Sequence, residues 1–337
     1  MDSKLLEKTL AESGERPFRL KQARAAVHGR LVSSWDEATD LPAALRESLA
    51  AEVPVSSVEP AGSADSSRGD STKTAFRLHD GAVIEAVLMR HRDGRNTVCV
   101  SSQAGCRMGC TFCATGKLGF VRDLTEDEIV DQALHFARKL NSEGARLSNV
   151  VLMGMGEPFE NYDAAVGALK AFNSADGLNL AARRLSVSTC GLVPGIRRFA
   201  AEPLQANLAV SLHAPDDETR SRLMPANRLH PLEELMPAVA DYVAATNRKV
   251  MFEYLLIAGE NDTDRHAEDL IALLAGNPLF HVNLIRFHRT GQYSPSPRPR
   301  RDAFLAELKQ NGISATHRVS FGEDIRAACG MLAAERL

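Results

Sequence analysis

The sequence predicts an α/β fold, an incomplete TIM-like (β/α)6 barrel that carries a small helical accessory domain at its N-terminal end. Three observations predict it. From Thr97 onward, short apolar runs alternate with amphipathic helical runs, and repeated strand–helix units build a parallel sheet covered by helices. Those apolar runs do not alternate with polar residues, as expected of strands buried on both faces. Chemically unusual residues recur at the ends of successive runs, and in a parallel barrel those ends share one face.

In chain order, leucine and alanine recur at helical spacing through LLEKTLAE, LKQARAAVHGRL and LPAALRESLAAE, which predicts short helices in an accessory domain over residues 1–72. The stretch EPAGSADSSRGDSTKT is rich in Gly, Ser and Asp without periodicity and reads as a boundary or exposed loop. The main domain, 73–337, opens with AFRLHDGAVIEAVLMR and RNTVCVSSQ, alternating segments that read as strands. The barrel strands follow as TVCVSS, NVVLMG, RLSVST, ANLAVSL, KVMFEYLLI and HVNLIRF, with a last one in SATHRVS. Between them LTEDEIVDQALHFARKL, YDAAVGALKAF, PLEELMPAVADYVAA, DRHAEDLIALLA and RRDAFLAELKQN read as helices.

Composition narrows the class. At 44% hydrophobic and 25% charged residues, the chain is neither disordered nor membrane-embedded, and no run is long and apolar enough for a span. The charged N-terminus lacks a secretory signal, so a cytoplasmic protein with reduced thiols is expected. A net charge of −3 does not mark a nucleic-acid binder. Basic residues nevertheless cluster at Arg16, Arg19, Lys21 and Arg24, and again at Arg286, Arg289, Arg298, Arg300 and Arg301. Each group reads either as a solvated face or as a stripe for phosphates.

The densest chemical signal is GCRMGCTFCATG, a C-x3-C-x2-C triplet of Cys106, Cys110 and Cys113. Three thiolates on one loop can converge on one inorganic centre. Structural zinc needs a fourth ligand, yet no His or Cys lies between Cys113 and His135. A dithiol of Cys110 and Cys113 leaves Cys106 without a role. Three cysteines leave one metal position open to a small ligand, and an iron–sulfur cluster is the reading that these grounds give together with the family resemblance described below.

Other strand ends carry weaker signals. Gly154, Gly156 and Glu157 follow the second strand, where glycine admits a ligand to the backbone and a carboxylate can pair with an ammonium. Ser188 and Thr189 end the third, Ser211 and His213 the fourth, and Asn283 and His288 lie along or beyond the sixth. Alone, such residues usually cap helices or satisfy backbone. Cys99 and Cys190 fit small buried hydrophobes. Cys329, between small residues near the C-terminus, suits an accessible thiolate.

The triplet resembles the signature of radical S-adenosylmethionine enzymes, and the wider text CVSSQAGCRMGCTFCATG, MGMGEP, STCGLVPGI, SLHAPDDETR and DIRAACG resembles the RlmN/Cfr family of RNA adenine methyltransferases. The resemblance runs from about Phe76 to Leu332. It implies a radical-SAM barrel in which Cys106, Cys110 and Cys113 hold one [4Fe-4S] cluster whose open iron takes the amino and carboxylate groups of S-adenosylmethionine. It implies cofactor contacts at Gly156, Glu157, Ser188, Ser211, Leu212 and His213. It further implies that Cys329 accepts a methyl group, that a 5′-deoxyadenosyl radical removes hydrogen from it, and that the resulting methylene radical adds to adenine. Cys99 matches the cysteine that then forms a disulfide with Cys329, and Glu85 the base for the ring proton.

The implied product is 2-methyladenosine in 23S ribosomal RNA, with transfer RNA as a second target. Family members that act at carbon 8 share nearly all these motifs, so that regiochemistry stays open, as does a non-enzymatic iron–sulfur RNA-binding protein. An external electron donor such as flavodoxin and a monomeric, membrane-free enzyme are expected. One departure stands out: Arg286-Phe287-His288-Arg289 puts His288 at the family's cofactor-contacting asparagine position. The SPSPRPRR text after it is also unlike the family's.

Overall fold

The computed structural model describes residues 1–333. Helices α1 (Ser3–Glu12), α2 (Phe18–Arg24) and α3 (Ala43–Glu52) form the N-terminal region. Their apolar faces join the barrel's own core: Leu6, Trp35 and Leu49 belong to the same packed cluster as Phe136 and Leu140. Polar tethers fix the seam. The Asp127 carboxylate accepts from the backbone and hydroxyl of Ser3 (2.8 and 2.7 Å), and Asp131 accepts from the backbone of Ser57 (2.6 Å) and from the N-terminal ammonium.

Strands β1 (Glu59–Asp65), β2 (Ser71–Arg77), β3 (Val83–Arg90) and β4 (Asn96–Val100) make an antiparallel meander. The stretch expected to be a boundary loop is therefore the β1–β2 hairpin, and residue 72 falls inside β2. Small and polar residues on a largely exposed edge strand leave no hydrophobic alternation to read. Next, β5 (Gln103–Gly105) and β6 (Phe120–Asp123) pair as a separate ribbon, with the cysteine loop and α4 (Ala114–Leu118) between them.

From β4 the sheet turns parallel through β7 (Asn149–Leu152), β8 (Leu185–Thr189), β9 (Asn207–Ser211), β10 (Val250–Leu256), β11 (Phe280–Arg286) and the short β12 (Ala315–His317). Strand order follows the chain without reversal, from β1 at one edge to β12 at the other. A doubly wound sheet reverses at a switch point; this one curls as an open barrel, as the sequence predicts. Helices α5 (Glu126–Ser142), α6 (Tyr162–Asn173), α7 (Val193–Ala200), α8 (Asp217–Leu223), α9 (Leu232–Thr246), α10 (Asp264–Leu274) and α11 (Arg298–Gln310) fill the crossovers. Helix α5 starts where Thr125 and Glu128 form a capping box, which satisfies two otherwise orphaned backbone donors. Among the described residues no helix is long and apolar enough to cross a membrane.

Candidate active site

The C-terminal ends of the parallel strands surround one cavity, which gathers residues scattered from Val87 to Leu332. All three triplet cysteines line it, with Gly156, Glu157, Ser188, Ser211, His213 and His288. Cys99 and Cys329 line it as well. Leu212 and Glu85 do not.

The cysteine loop is positioned by its ribbon. Gly105 stands at φ +77°, and a side chain there would meet the Gly119 carbonyl oxygen at 2.0 Å, so only glycine lets β5 and β6 close beneath the loop. Burial pushes the Cys106 thiol up to about 12, with the Glu157 charge adding to it, and Cys110 is raised by burial and by its two sister thiols. Such thiols ionise only when a cation repays the desolvation. Among the described residues no three His, Cys, Asp or Glu side chains are gathered for a single metal ion. A cluster, whose separate irons each take one thiolate, spreads its ligands more widely.

Glu157 faces the same space and is 4% exposed. Its carboxylate accepts the N–H groups of Cys190 (2.7 Å) and Phe159 (3.0 Å), while its own N–H donates to Gln103 Oε1 (2.8 Å). Burial raises its pKa. The cradle fixes both oxygens and leaves lone pairs for a cationic ligand group. Gly156 makes this possible: at φ +98°, an added Cβ would lie 2.5 Å from the Cβ of Gln103.

His213 is buried in the left-handed region at φ +58°. Its Nδ1 accepts from Leu255 N–H (3.1 Å), so the neutral ring carries its hydrogen on Nε2. Burial lowers its pKa to about 3, which keeps it neutral. Ser188 and Ser211 lie 3.5 Å apart, hydroxyl to hydroxyl. Beneath them the buried Arg220 donates to the carbonyls of Leu212 (3.1 Å), Cys190 (2.6 Å) and Ser211 (3.2 Å), and to Asn227 Oδ1. One guanidinium thus ties the ends of β8 and β9 together, and Leu212 serves the site through its backbone. The sequence gives no cue to Arg220, since an arginine in a short charged helix is ordinarily exposed.

The segment after β12 folds back over the cysteine loop. Ala114 donates to the Gly330 carbonyl (2.8 Å), the Thr115 hydroxyl to the Leu332 carbonyl (2.7 Å), and Ala333 N–H to the Glu85 carboxylate (2.9 Å). Cys329 is thereby held exposed at the cavity wall. Cys99 is half-buried; burial pushes its thiol up to about 12, and charge on Cys329 raises it further. Arg318, unmarked in the sequence, lines the same cavity. It donates to Glu253 Oε2 (3.1 Å), and its own pKa is raised by Glu253 and both thiols. Asn283 lies behind this pair, donating to Glu253 Oε1 (2.9 Å).

Glu85 is fully buried on β3 and ion-paired with Lys73 (3.0 Å). Strand alternation places it on the face of Val87 and Met89, which do line the cavity. The described tail covers it. His288 is 4% exposed, with Nδ1 3.1 Å from Glu323 Oε1, and burial lowers its pKa.

A parallel barrel that opens on three clustered cysteines defines a radical S-adenosylmethionine enzyme, and the sequence profile of the Radical SAM superfamily matches residues 100–274. A protein of Pelotomaculum thermopropionicum named "Probable dual-specificity RNA methyltransferase RlmN" is 47% identical over 97% of this chain and 88% of its own length. A relative of the same name from Geobacillus thermodenitrificans is 45% identical over 98% and 90%. The crystal structure of a radical SAM methyltransferase from Sphaerobacter thermophilus superimposes with a TM-score of 0.95 at 45% identity, over 99% of this chain and 98% of that one. The chain belongs to the RlmN family and is an S-adenosylmethionine-dependent methyltransferase. Family membership implies an iron–sulfur cluster and S-adenosylmethionine as its cofactors.

Proposed function

We propose that the protein methylates carbon 2 of adenosine in RNA, with 23S ribosomal RNA as the main target and transfer RNA as a second one. The observation that carries this reading is the placement of Cys329 and Cys99 on the same cavity as the cysteine triplet and Glu157. A methyltransferase that passes its methyl group directly from donor to substrate needs no such pair of thiols. When bound, the [4Fe-4S] cluster and S-adenosylmethionine supply a methyl donor and, after one-electron reduction, a hydrogen-abstracting radical.

The chain's own residues divide the remaining work. Cys106, Cys110 and Cys113 would hold the cluster through their thiolates. Glu157, Ser188, Ser211, His213 and the Gly156 backbone bind and orient the cofactor. His288, an imidazole in place of an amide, offers one donor and one acceptor there. Cys329 carries the methyl group on its sulfur. Adenine carbons flanked by nitrogens are electrophilic, so a carbon radical formed on that sulfur can attack where a sulfonium methyl cannot. Glu85 takes the ring proton. As that proton leaves, the radical adduct would return one electron to the iron–sulfur centre; the Cys99 thiolate then attacks the Cys329 sulfur and breaks its bond to carbon, which takes up a proton as the methyl group, and an external thiol reductant would reopen the disulfide so formed. Arg318 offsets part of the burial that raises the Cys99 thiol.

The protein acts as a cytoplasmic monomer, reduced by an external donor such as flavodoxin. The test is mass spectrometry of ribosomal and transfer RNA from strains with and without the gene. Loss of 2-methyladenosine on deletion supports the reading; loss of 8-methyladenosine instead moves the reaction to carbon 8, and unchanged RNA refutes the substrate.

A further inference from the structure

A second cavity adjoins the mouth of the first and shares Arg318 and Ser320 with it. Its wall carries Arg68, Arg286, Arg298, Arg301 and Arg318 against a single carboxylate, that of Glu323. Glu323 is itself engaged by Arg286 (3.2 Å) and His288 (3.1 Å). The basic C-terminal segment noted in the sequence is therefore sorted by the fold. Arg300 turns away to Asp264 and the Asp262 carbonyl, and Arg289 to Ser294, whereas Arg286, Arg298 and Arg301 converge.

Arg68 is paired with Asp70 (3.1 Å) and Arg318 with Glu253 (3.1 Å), but another arginine of the pocket is left over. Arg301 makes no salt bridge among the described residues, and its buried Nε has no hydrogen-bond partner. The neighbouring Asp302 is taken by Arg298 (3.5 Å) and His317 (3.3 Å). Arg298 and Arg301 also stand in the first turn of α11, which has no acidic residue and no side-chain cap. Cations at the positive end of a helix are disfavoured. Like charges gathered there, with one buried donor unsatisfied, are the arrangement that an anion completes.

We infer that this arginine pocket grips a backbone phosphate of the RNA beside the nucleotide that enters the active-site cavity. The inference rests on the reading that the substrate is RNA. A base drawn into the cavity leaves its flanking phosphates at the mouth, where guanidinium forks match phosphate oxygens in pairs. Guanidinium groups that hold a phosphate position the strand without reading its sequence.

The test uses the full-length, cluster-loaded protein and a fluorescently labelled 23S ribosomal RNA fragment, titrated over a potassium chloride series. The double variant Arg298→Gln/Arg301→Gln binds about tenfold more weakly near physiological salt, and its log–log salt slope is shallower by about 1 per arginine removed. Arg298→Lys/Arg301→Lys keeps the charge and most of the affinity. Arg265→Gln, on the exposed face of α10, changes neither quantity. If wild type binds the RNA and the Gln variant matches it in affinity and slope, the pocket is not a phosphate site, while the RNA reading stands. The inference also falls if the Lys variant loses as much as the Gln variant, or if the Gln variant loses only its reduction by an acidic donor protein. Wild type that binds no RNA refutes the substrate reading and this inference together.

Discussion

At the scale of single residues, two thiols carry different proposed duties. Cys329→Ala is expected to keep the iron–sulfur absorbance and lose all RNA methylation, measured by nucleoside mass spectrometry on the same preparation. Cys99→Ala is expected to stall after carbon–carbon bond formation, leaving protein covalently joined to RNA as a retarded, nuclease-sensitive band on a denaturing gel. Arg220 acts by position. Arg220→Met strands the carbonyls of Cys190, Ser211 and Leu212 and is expected to lower stability by about 3 kcal/mol, read from the urea midpoint. The triplet was legible because its three ligands sit on one loop, where spacing alone constrains the chemistry. Arg220 and Arg318 were not, because each acts on groups that only the fold brings near: Arg318 reaches Glu253, 65 positions away in sequence.

At the scale of elements, the site depends on how strands end and helices begin. The Gly156 turn after β7 has no room for a side chain, so Gly156→Ala is expected to cost about 2 kcal/mol and to weaken S-adenosylmethionine binding in calorimetry. The barrel strands could be read from continuous apolar runs. Strands β1 and β5 could not, since short runs of Gly, Ser and Ala carry no period. Glu85 shows a different limit. Its place on a strand was readable, but its pairing with Lys73 and its cover by Ala333 are long-range contacts.

At the scale of the molecule, helical accessory region and barrel share one core, and their seam is sensitive to acid. Burial lowers the pKa of His28 and of His135 from 6.5 to about 4. The unfolded chain binds these protons at a higher pH than the folded one, so the stability they contribute is full above about pH 6.5 and declines as pH falls toward about 4. The thermal midpoint is expected to drop across that window, and His135→Phe, which keeps the ring between Phe76 and Phe136, is expected to blunt the drop. Sequence order predicted the barrel because each strand lies beside its predecessor, and the strand-end residues expected on one face do line one cavity. In the proposed reaction, carbon reaches the RNA through Cys329 as a methylene unit. The most direct measurement supplies S-adenosylmethionine with a fully deuterated methyl group and weighs the methyladenosine made in the first and later turnovers. Loss of one deuterium from every methyl group installed from the labelled donor is the predicted result, and retention of all three, showing direct methyl transfer, would contradict it.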